Sequence, residues 1–166
     1  MSGMIVLVMG VSGAGKSTIG RALADALEAA FLEADAFHSP ANIAKMKSGI
    51  PLTDADRWPW LDAIGAALDR SVMKGGKVVL ACSALKQAYR DRLLKDGGRR
   101  GFTVFLQGDP DLIAARLAGR SGHYMPPALL PSQLAALEPP ADAIVADISE
   151  APEVILRKVL AKLPVS

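Results

Sequence analysis

An α/β domain with a parallel sheet between helical layers is predicted by three observations. Short apolar runs alternate with amphipathic stretches along the whole chain. Three of those runs are apolar nearly throughout, as strands covered on both faces must be. Alanine supplies much of the 51% apolar content while aromatic residues make up only 5%, which favours helices packed closely on a sheet.

In chain order, residues 4–9 (MIVLVM) read as the first strand. After a glycine-rich loop, Ile19, Leu23 and Leu27 share one helical face, with Ala22 and Ala26 beside it. Residues 31–33 read as a second strand. Trp60, Ile64 and Leu68 make the next helical stripe, stopped by Gly75-Gly76. Strands follow at 78–82 (VVLAC) and 102–107 (FTVFLQ). Asp109-Pro110 has the form of an N-cap with proline at the first helical position, ahead of Leu112, Ile113 and Leu117. A fifth strand at 143–147 (AIVAD) and a helix from about Pro152 to Leu163 complete the pattern. Strand–helix alternation of this kind implies a parallel sheet with crossover helices.

No repeat, low-complexity tract or linker divides the 166 residues, so residues 1–166 read as a single domain. Two segments break the alternation. Residues 36–57 are polar and punctuated by proline, and residues 119–140 hold glycine, histidine, tyrosine and five prolines. Above the carboxyl edge of a parallel sheet, such segments grip substrates or form lids.

Bulk properties exclude several classes. Nineteen Lys+Arg against 17 Asp+Glu leave a net charge of +2, too even for a nucleic-acid or membrane partner. The single cysteine, Cys82, rules out a disulfide within the chain and reads as an inert core thiol. The apolar start is too short for a secretory segment, and no run has membrane-spanning length. A cytoplasmic protein is expected.

Gly10-Val11-Ser12-Gly13-Ala14-Gly15-Lys16-Ser17 fits G-x-x-x-x-G-K-[ST] at every fixed position. Its glycines let successive N–H groups converge on phosphate oxygens, and the following helix adds its positive end. With Thr18 next in line, these residues are the candidate ATP site. Lys16 is expected to neutralise the β- and γ-phosphates and to be catalytic; the Ser17 hydroxyl is expected to ligate Mg²⁺. Nothing resembles a guanine-reading N-K-x-D, the chain has no room for a motor's extra domains, and the strand before Ser83 ends without an acidic metal anchor. A small-molecule or nucleotide kinase remains.

Three blocks carry a closer resemblance: EADAFHSPANIAKMKSGIPLTDADRWPW (33–60), CSALKQAYRDRL (82–93) and RSGHYMPPALLPSQLAALE (120–138). With the phosphate loop they resemble the thermoresistant-type gluconokinases over nearly the whole chain. One departure is Ala34, where family members often carry glycine; Asp35 stays in register. The resemblance implies ATP-dependent phosphorylation of D-gluconate at its 6-hydroxyl, a three-layer P-loop kinase fold like that of nucleoside-monophosphate kinases with sheet order 2-3-1-4-5, and a homodimer. Shikimate-type and nucleoside-monophosphate kinases are the enzymatic alternatives, and a nucleotide-dependent switch is the non-enzymatic one.

The remaining candidates each have a plainer reading. Asp35, expected at the end of the second strand, would accept the substrate proton or hold the Mg²⁺ shell, with the metal role preferred and Asp147 as fallback; otherwise it caps a helix. His38 would touch the sugar acid or pack a loop. Arg57 would fork onto the substrate carboxylate, whereas Asp54 or Asp56 reads as a helix cap and Trp60 as core. Lys86 and Arg90, spaced i, i+4, share a face near the active edge if Lys86 begins a helix. Arg92, Lys95 and the Arg99-Arg100 pair read as solvated. Arg116 and Arg120 would close over the phosphates as catalytic lid residues, with adenine stacking the other role for Arg116; His123 would reach a phosphate or pack the lid.

Overall fold

The computed structural model describes residues 3–96, 98–119 and 129–164. Its five strands are β1 Met4–Met9, β2 Ala30–Glu33, β3 Lys77–Ala81, β4 Gly101–Gln107 and β5 Ile144–Asp147. All neighbours pair in parallel in the order β2-β3-β1-β4-β5. The sheet order expected from the family resemblance is therefore the observed one.

Helices cover both faces: α1 Lys16–Leu27, α2 Pro40–Lys47, α3 Asp54–Val72, α4 Gln87–Leu93, α5 Pro110–Ala118, α6 Leu130–Ala136 and α7 Pro152–Lys162. The period of two along β1 divides the core. Val6 and Val8 join the cluster formed with Ile19, Leu23, Ile113, Ile155 and Val159 on one face. Ile5, Leu7 and Met9 join Trp60, Leu61, Ile64, Leu68 and Leu93 on the other. A strand apolar on both faces is thus the central strand. Among the described residues no helix is long and apolar enough to cross a membrane.

Several boundaries differ from expectation. β2 ends at Glu33, so Asp35 lies beyond it in a 3₁₀ turn, Ala34–Phe37. The polar segment 36–57 contains α2, which Ser39 caps by accepting from the Asn42 N–H at 3.1 Å, with Pro40 at the first turn. The cap of α3 is Thr53 rather than Asp54 or Asp56. Its hydroxyl accepts from the Asp56 N–H, and the Asp56 carboxylate accepts from the Thr53 N–H, a reciprocal capping box. The proline-rich segment 119–140 contains α6, which the proline count hid.

Candidate active site

β1 runs into the glycine-rich loop, and α1 leaves it at Lys16. Gly13 takes φ 88°, and a Cβ there would meet Leu117 Cγ at 2.8 Å. Gly15 takes φ 97°, and a Cβ there would meet nothing within 4 Å. One glycine is required by the packing behind the loop; the other leaves the space in front of it open for a ligand. Lys16 Nζ donates to the Val11 carbonyl at 3.0 Å, which folds the ammonium back over the cradle.

A cleft of about 410 Å³ opens from the loop along the carboxyl edge of the sheet, within the size range of small-molecule sites. Ser12, Lys16, Ser17, Glu33 and Asp35 form its phosphate end. The Ser17 hydroxyl donates to the Glu33 carboxylate at 2.5 Å. Glu33 pairs in register with Ala81, which pairs with Val8, so the end of β2 lies level with the end of β1. That registration overturns the premise that Asp35 alone offered a carboxylate beside the loop. Glu33 stands closer to Ser17's chemistry, and only the pairing of the strands reveals it. The fallback, Asp147, is set aside: its carboxylate accepts from the N–H and hydroxyl of Ser149, capping a turn beyond β5.

The residues present fit ATP with a divalent ion. Backbone N–H groups, a lysine and a hydroxyl paired with a carboxylate are the donor set that phosphates and Mg²⁺ need. Among the described residues no group of three or more His, Cys, Asp or Glu side chains could hold a metal alone. Mg²⁺ suits such a site because it keeps its waters and phosphate ligands.

Asp35 sits on the cleft wall, and its turn is fastened from behind. The Trp60 indole N–H donates to the Ala34 carbonyl at 2.8 Å, and the His38 ring stacks on Trp60 with centroids 4.1 Å apart. Trp60 is core, as expected, yet its edge also lines the cleft. Asn42 Nδ2 donates to the Asp56 carbonyl and lies 3.4 Å from His38 Nδ1. An amide NH₂ only donates, so Nδ1 accepts and the ring proton is on Nε2. Burial pushes the His38 pKa down to about 4, against the opposing charge of Asp35 and with a smaller contribution from Arg57. The ring is neutral near pH 7.

The far wall carries a cluster. Arg57 Nη1 donates to the Leu52 carbonyl at 2.7 Å and to the Tyr89 hydroxyl at 3.1 Å. That hydroxyl donates to the Asp54 carboxylate. Arg57 Nη1 and Lys86 Nζ lie 3.8 and 3.7 Å from Asp54. Hydrogen bonding from Tyr89, then the two cations, hold the Asp54 carboxyl below its usual range, while burial and Asp54 push Tyr89 up to about 12. Two cations against one carboxylate leave this end of the cleft with one net positive charge. The sequence did not single out Asp54 or Tyr89 for the site.

Arg90 is corrected. Lys86 is the N-cap of α4, not its first turn, so the i, i+4 argument fails. The Arg90 guanidinium turns into the protein and donates to the carbonyls of Ala84, Leu85 and Glu138. It lies outside the cleft lining. Two of the arginines read as solvated are ion-paired: Arg99 forks onto Asp69 and also bonds the Leu93 carbonyl, and Arg92 forks onto Asp62, while Arg100 lies over the Phe102 ring. Cys82 is buried, and desolvation raises its thiol pKa to about 12, so it is unreactive.

Arg116 belongs to α5, and its guanidinium donates to the Ile148 carbonyl at 2.8 Å. With Gly13, Gly15, Thr18, Glu150 and Pro152 it lines a separate recess on the outer side of the loop. Of its two roles, that position suits stacking on a base rather than closure over the transferring phosphate. Arg120 and His123 lie outside the described residues.

Comparison with known proteins agrees with this geometry. A family model described as an AAA domain matches residues 5–140. The chain is 47% identical to a mouse probable gluconokinase, over 82% of this chain and 83% of that one. It is 41% identical to the thermoresistant gluconokinase of Escherichia coli, over 88% and 85%. A gluconokinase structure from Sinorhizobium meliloti superposes with a TM-score of 0.83 at 47% identity, covering 96% of this chain and 90% of that one. A cradle for phosphates, a cleft with a cationic far wall and relatives at these identities agree: the chain belongs to the gluconokinase family of P-loop kinases.

Proposed function

We propose that this protein is a gluconokinase, transferring the γ-phosphoryl group of ATP to the 6-hydroxyl of D-gluconate to give 6-phospho-D-gluconate and ADP. The observation that carries the reading is the cleft itself. Its phosphate end is a glycine cradle with Lys16, and its far end offers one net positive charge from Arg57, Lys86 and Asp54. A linear sugar acid with a carboxylate at one end and a primary hydroxyl at the other matches that polarity.

In this reading the loop amides and Lys16 bind the phosphates, and Arg116 holds the base. Ser17, with Glu33 behind it, would hold Mg²⁺, which when bound neutralises charge on the β- and γ-phosphates. Asp35 takes the proton of the attacking hydroxyl, since Glu33 now fills the metal-linked role first preferred for Asp35. His38, neutral and carrying its proton on Nε2, donates to a substrate hydroxyl. Arg57 and Lys86 bind the carboxylate, and Asp54 and Tyr89 fix their positions. Phosphoryl transfer depends on placement and charge more than on covalent help, so a site without a nucleophile suffices. We further read the protein as cytoplasmic and, from the family resemblance, as a homodimer.

An acceptor panel tests this. ADP formation is measured with gluconate, shikimate, nucleoside monophosphates and neutral hexitols at matched concentrations. Gluconate should exceed each of the others by at least about 100-fold in kcat/KM, because loss of a paired charge in a recognition site costs about 2–5 kcal/mol. Comparable turnover of a nucleoside monophosphate or shikimate would contradict the assignment.

A further inference from the structure

Gln133 stands where the phosphate end of the cleft meets the acceptor end. It lies on α6, whose first turn is pinned by the Ser132 hydroxyl donating to the Leu129 carbonyl at 2.8 Å. Its Oε1 accepts from the Ser12 backbone N–H at 2.7 Å. A backbone N–H can only donate, so this bond fixes which way the side-chain amide faces: oxygen on the loop, NH₂ away from it. Gln133 lines the same cleft as Lys16, Ser17 and Asp35. Among the described residues its NH₂ group makes no hydrogen bond.

A second observation points to the same place. Ser12 also lines the cleft, and its Oγ is buried without a hydrogen-bond partner in the described structure. Buried polar atoms are normally paired, and an exception calls for a partner that the folded chain does not supply. Ser12 and Gln133 thus bring two uncommitted polar groups, a buried hydroxyl and an amide NH₂, to the lining of the cleft that also holds Lys16 and Asp35. The NH₂ suits an acceptor that carries several oxygens.

We propose that Gln133 is a catalytic residue of the transfer. Anchored on the loop through its carbonyl, it presents its NH₂ to the oxygens of the phosphoryl group as that group passes from nucleotide to acceptor. This rests on the functional reading above. In the step, the acceptor oxygen forms its bond to phosphorus, the bond to the β-phosphate oxygen breaks, and the acceptor proton goes to Asp35. Gln133 gains and loses no proton. The charge spread over the equatorial oxygens is greatest in the transition state. Lys16 meets that charge from the nucleotide side, and Gln133 meets it from the α6 side with donors whose orientation is already set.

Two measurements test the proposal in the intact protein. In uniformly ¹⁵N-labelled wild type, the Gln133 side-chain amide signal is assigned by its absence in Gln133→Met. It should stay in place with Mg²⁺ and ADP and move when aluminium fluoride and gluconate complete a transition-state mimic. In kinetics, Gln133→Met and Gln133→Glu should each lose about 10²–10³-fold in kcat, the usual loss for one such donor, with both KM values within about threefold. Gln133→Glu keeps an oxygen for the Ser12 N–H but replaces the NH₂ with a charged oxygen, whereas Gln133→Met removes both amide groups without adding charge; a loss common to the two variants reads donation. An amide signal unmoved in the mimic complex overturns the proposal, as does a kcat within about threefold of wild type in either variant. Wild type that forms no ADP with gluconate overturns the functional reading, and this inference with it; wild type that turns over while the variants match it overturns this inference alone.

Discussion

At the scale of single residues, the division of labour between Glu33 and Asp35 is the sharpest consequence of the fold. The Ser17 hydroxyl is bonded to Glu33, so in the proposed reading Glu33 acts on the metal and Asp35 on the acceptor. Glu33→Gln should raise the Mg²⁺ concentration for half-activity by about 10–100-fold, as loss of a partner behind a metal ligand does. Excess metal should restore much of the rate. Asp35→Asn should lower kcat by about 10²–10⁴-fold with the metal requirement unchanged. A metal titration of both variants checks this, and a raised requirement in Asp35→Asn alone would reverse the two roles. His38 gives a pH signature. Its folded pKa, about 4, lies below its ordinary 6.5, so the unfolded chain binds more protons between those values. Its contribution to stability is complete above pH 6.5 and is lost as pH falls towards 4. The urea midpoint should fall across that window, less steeply in His38→Gln; equal slopes would mean that the ring is not buried neutral. The phosphate loop was legible residue by residue because its spacing is its mechanism. Glu33 was not, because a carboxylate's neighbours depend on where a strand ends, and β2 ends two residues before Asp35.

At the scale of elements, the strands and most helices were legible from periodicity, and the errors fell where short elements begin. Lys86 looked like the start of a helix, which made Arg90 a second cation on the same face. It is instead the cap, so the two side chains part: Lys86 stays by Asp54 in the cleft, and Arg90 ties α4 to the chain leaving α6 through Glu138. The Glu138 carboxylate in turn accepts from the Gln87 N–H at 2.8 Å, closing the start of α4. Removing Arg90 strands the carbonyls of Ala84 and Glu138 and leaves that of Leu85 with the Glu138 N–H alone. Arg90→Ala should therefore cost about 2–4 kcal/mol of stability while kcat of the folded enzyme stays within about threefold. Lys86→Ala should do the opposite, leaving the melting temperature in place and raising the gluconate KM roughly 10–100-fold, the worth of a charge-assisted hydrogen bond. Thermal melts and steady-state kinetics on the pair decide the matter. A large gluconate KM effect at Arg90 without loss of stability would return it to the site. α6 escaped notice because three prolines precede its second turn, yet one of those, Pro131, sits in the first turn, where a missing N–H costs nothing.

At the scale of the whole molecule, a parallel sheet gathers every strand end at one edge, and that is what converts five separate sequence blocks into one cleft. The loop after β1, Glu33 at the end of β2 with the Asp35 turn beyond it, and Ser83 and Lys86 after β3 all meet there. α3 brings Arg57, and α6 brings Gln133. Sequence alone named the cradle and several of the cations, but the polarity of the cleft, phosphate end to carboxylate end, exists only once the strands are in register. The polarity proposed for the cleft predicts which atom is phosphorylated. With the carboxylate held by Arg57 and Lys86, the opposite end of the six-carbon chain faces the phosphate cradle. Phosphorus-coupled carbon NMR of the product made from uniformly ¹³C-labelled gluconate reads this directly. One new phosphomonoester should form in step with ADP, with phosphorus coupling at C6 and C5. A phosphate on any other carbon, or no gluconate-dependent phosphomonoester, would contradict it.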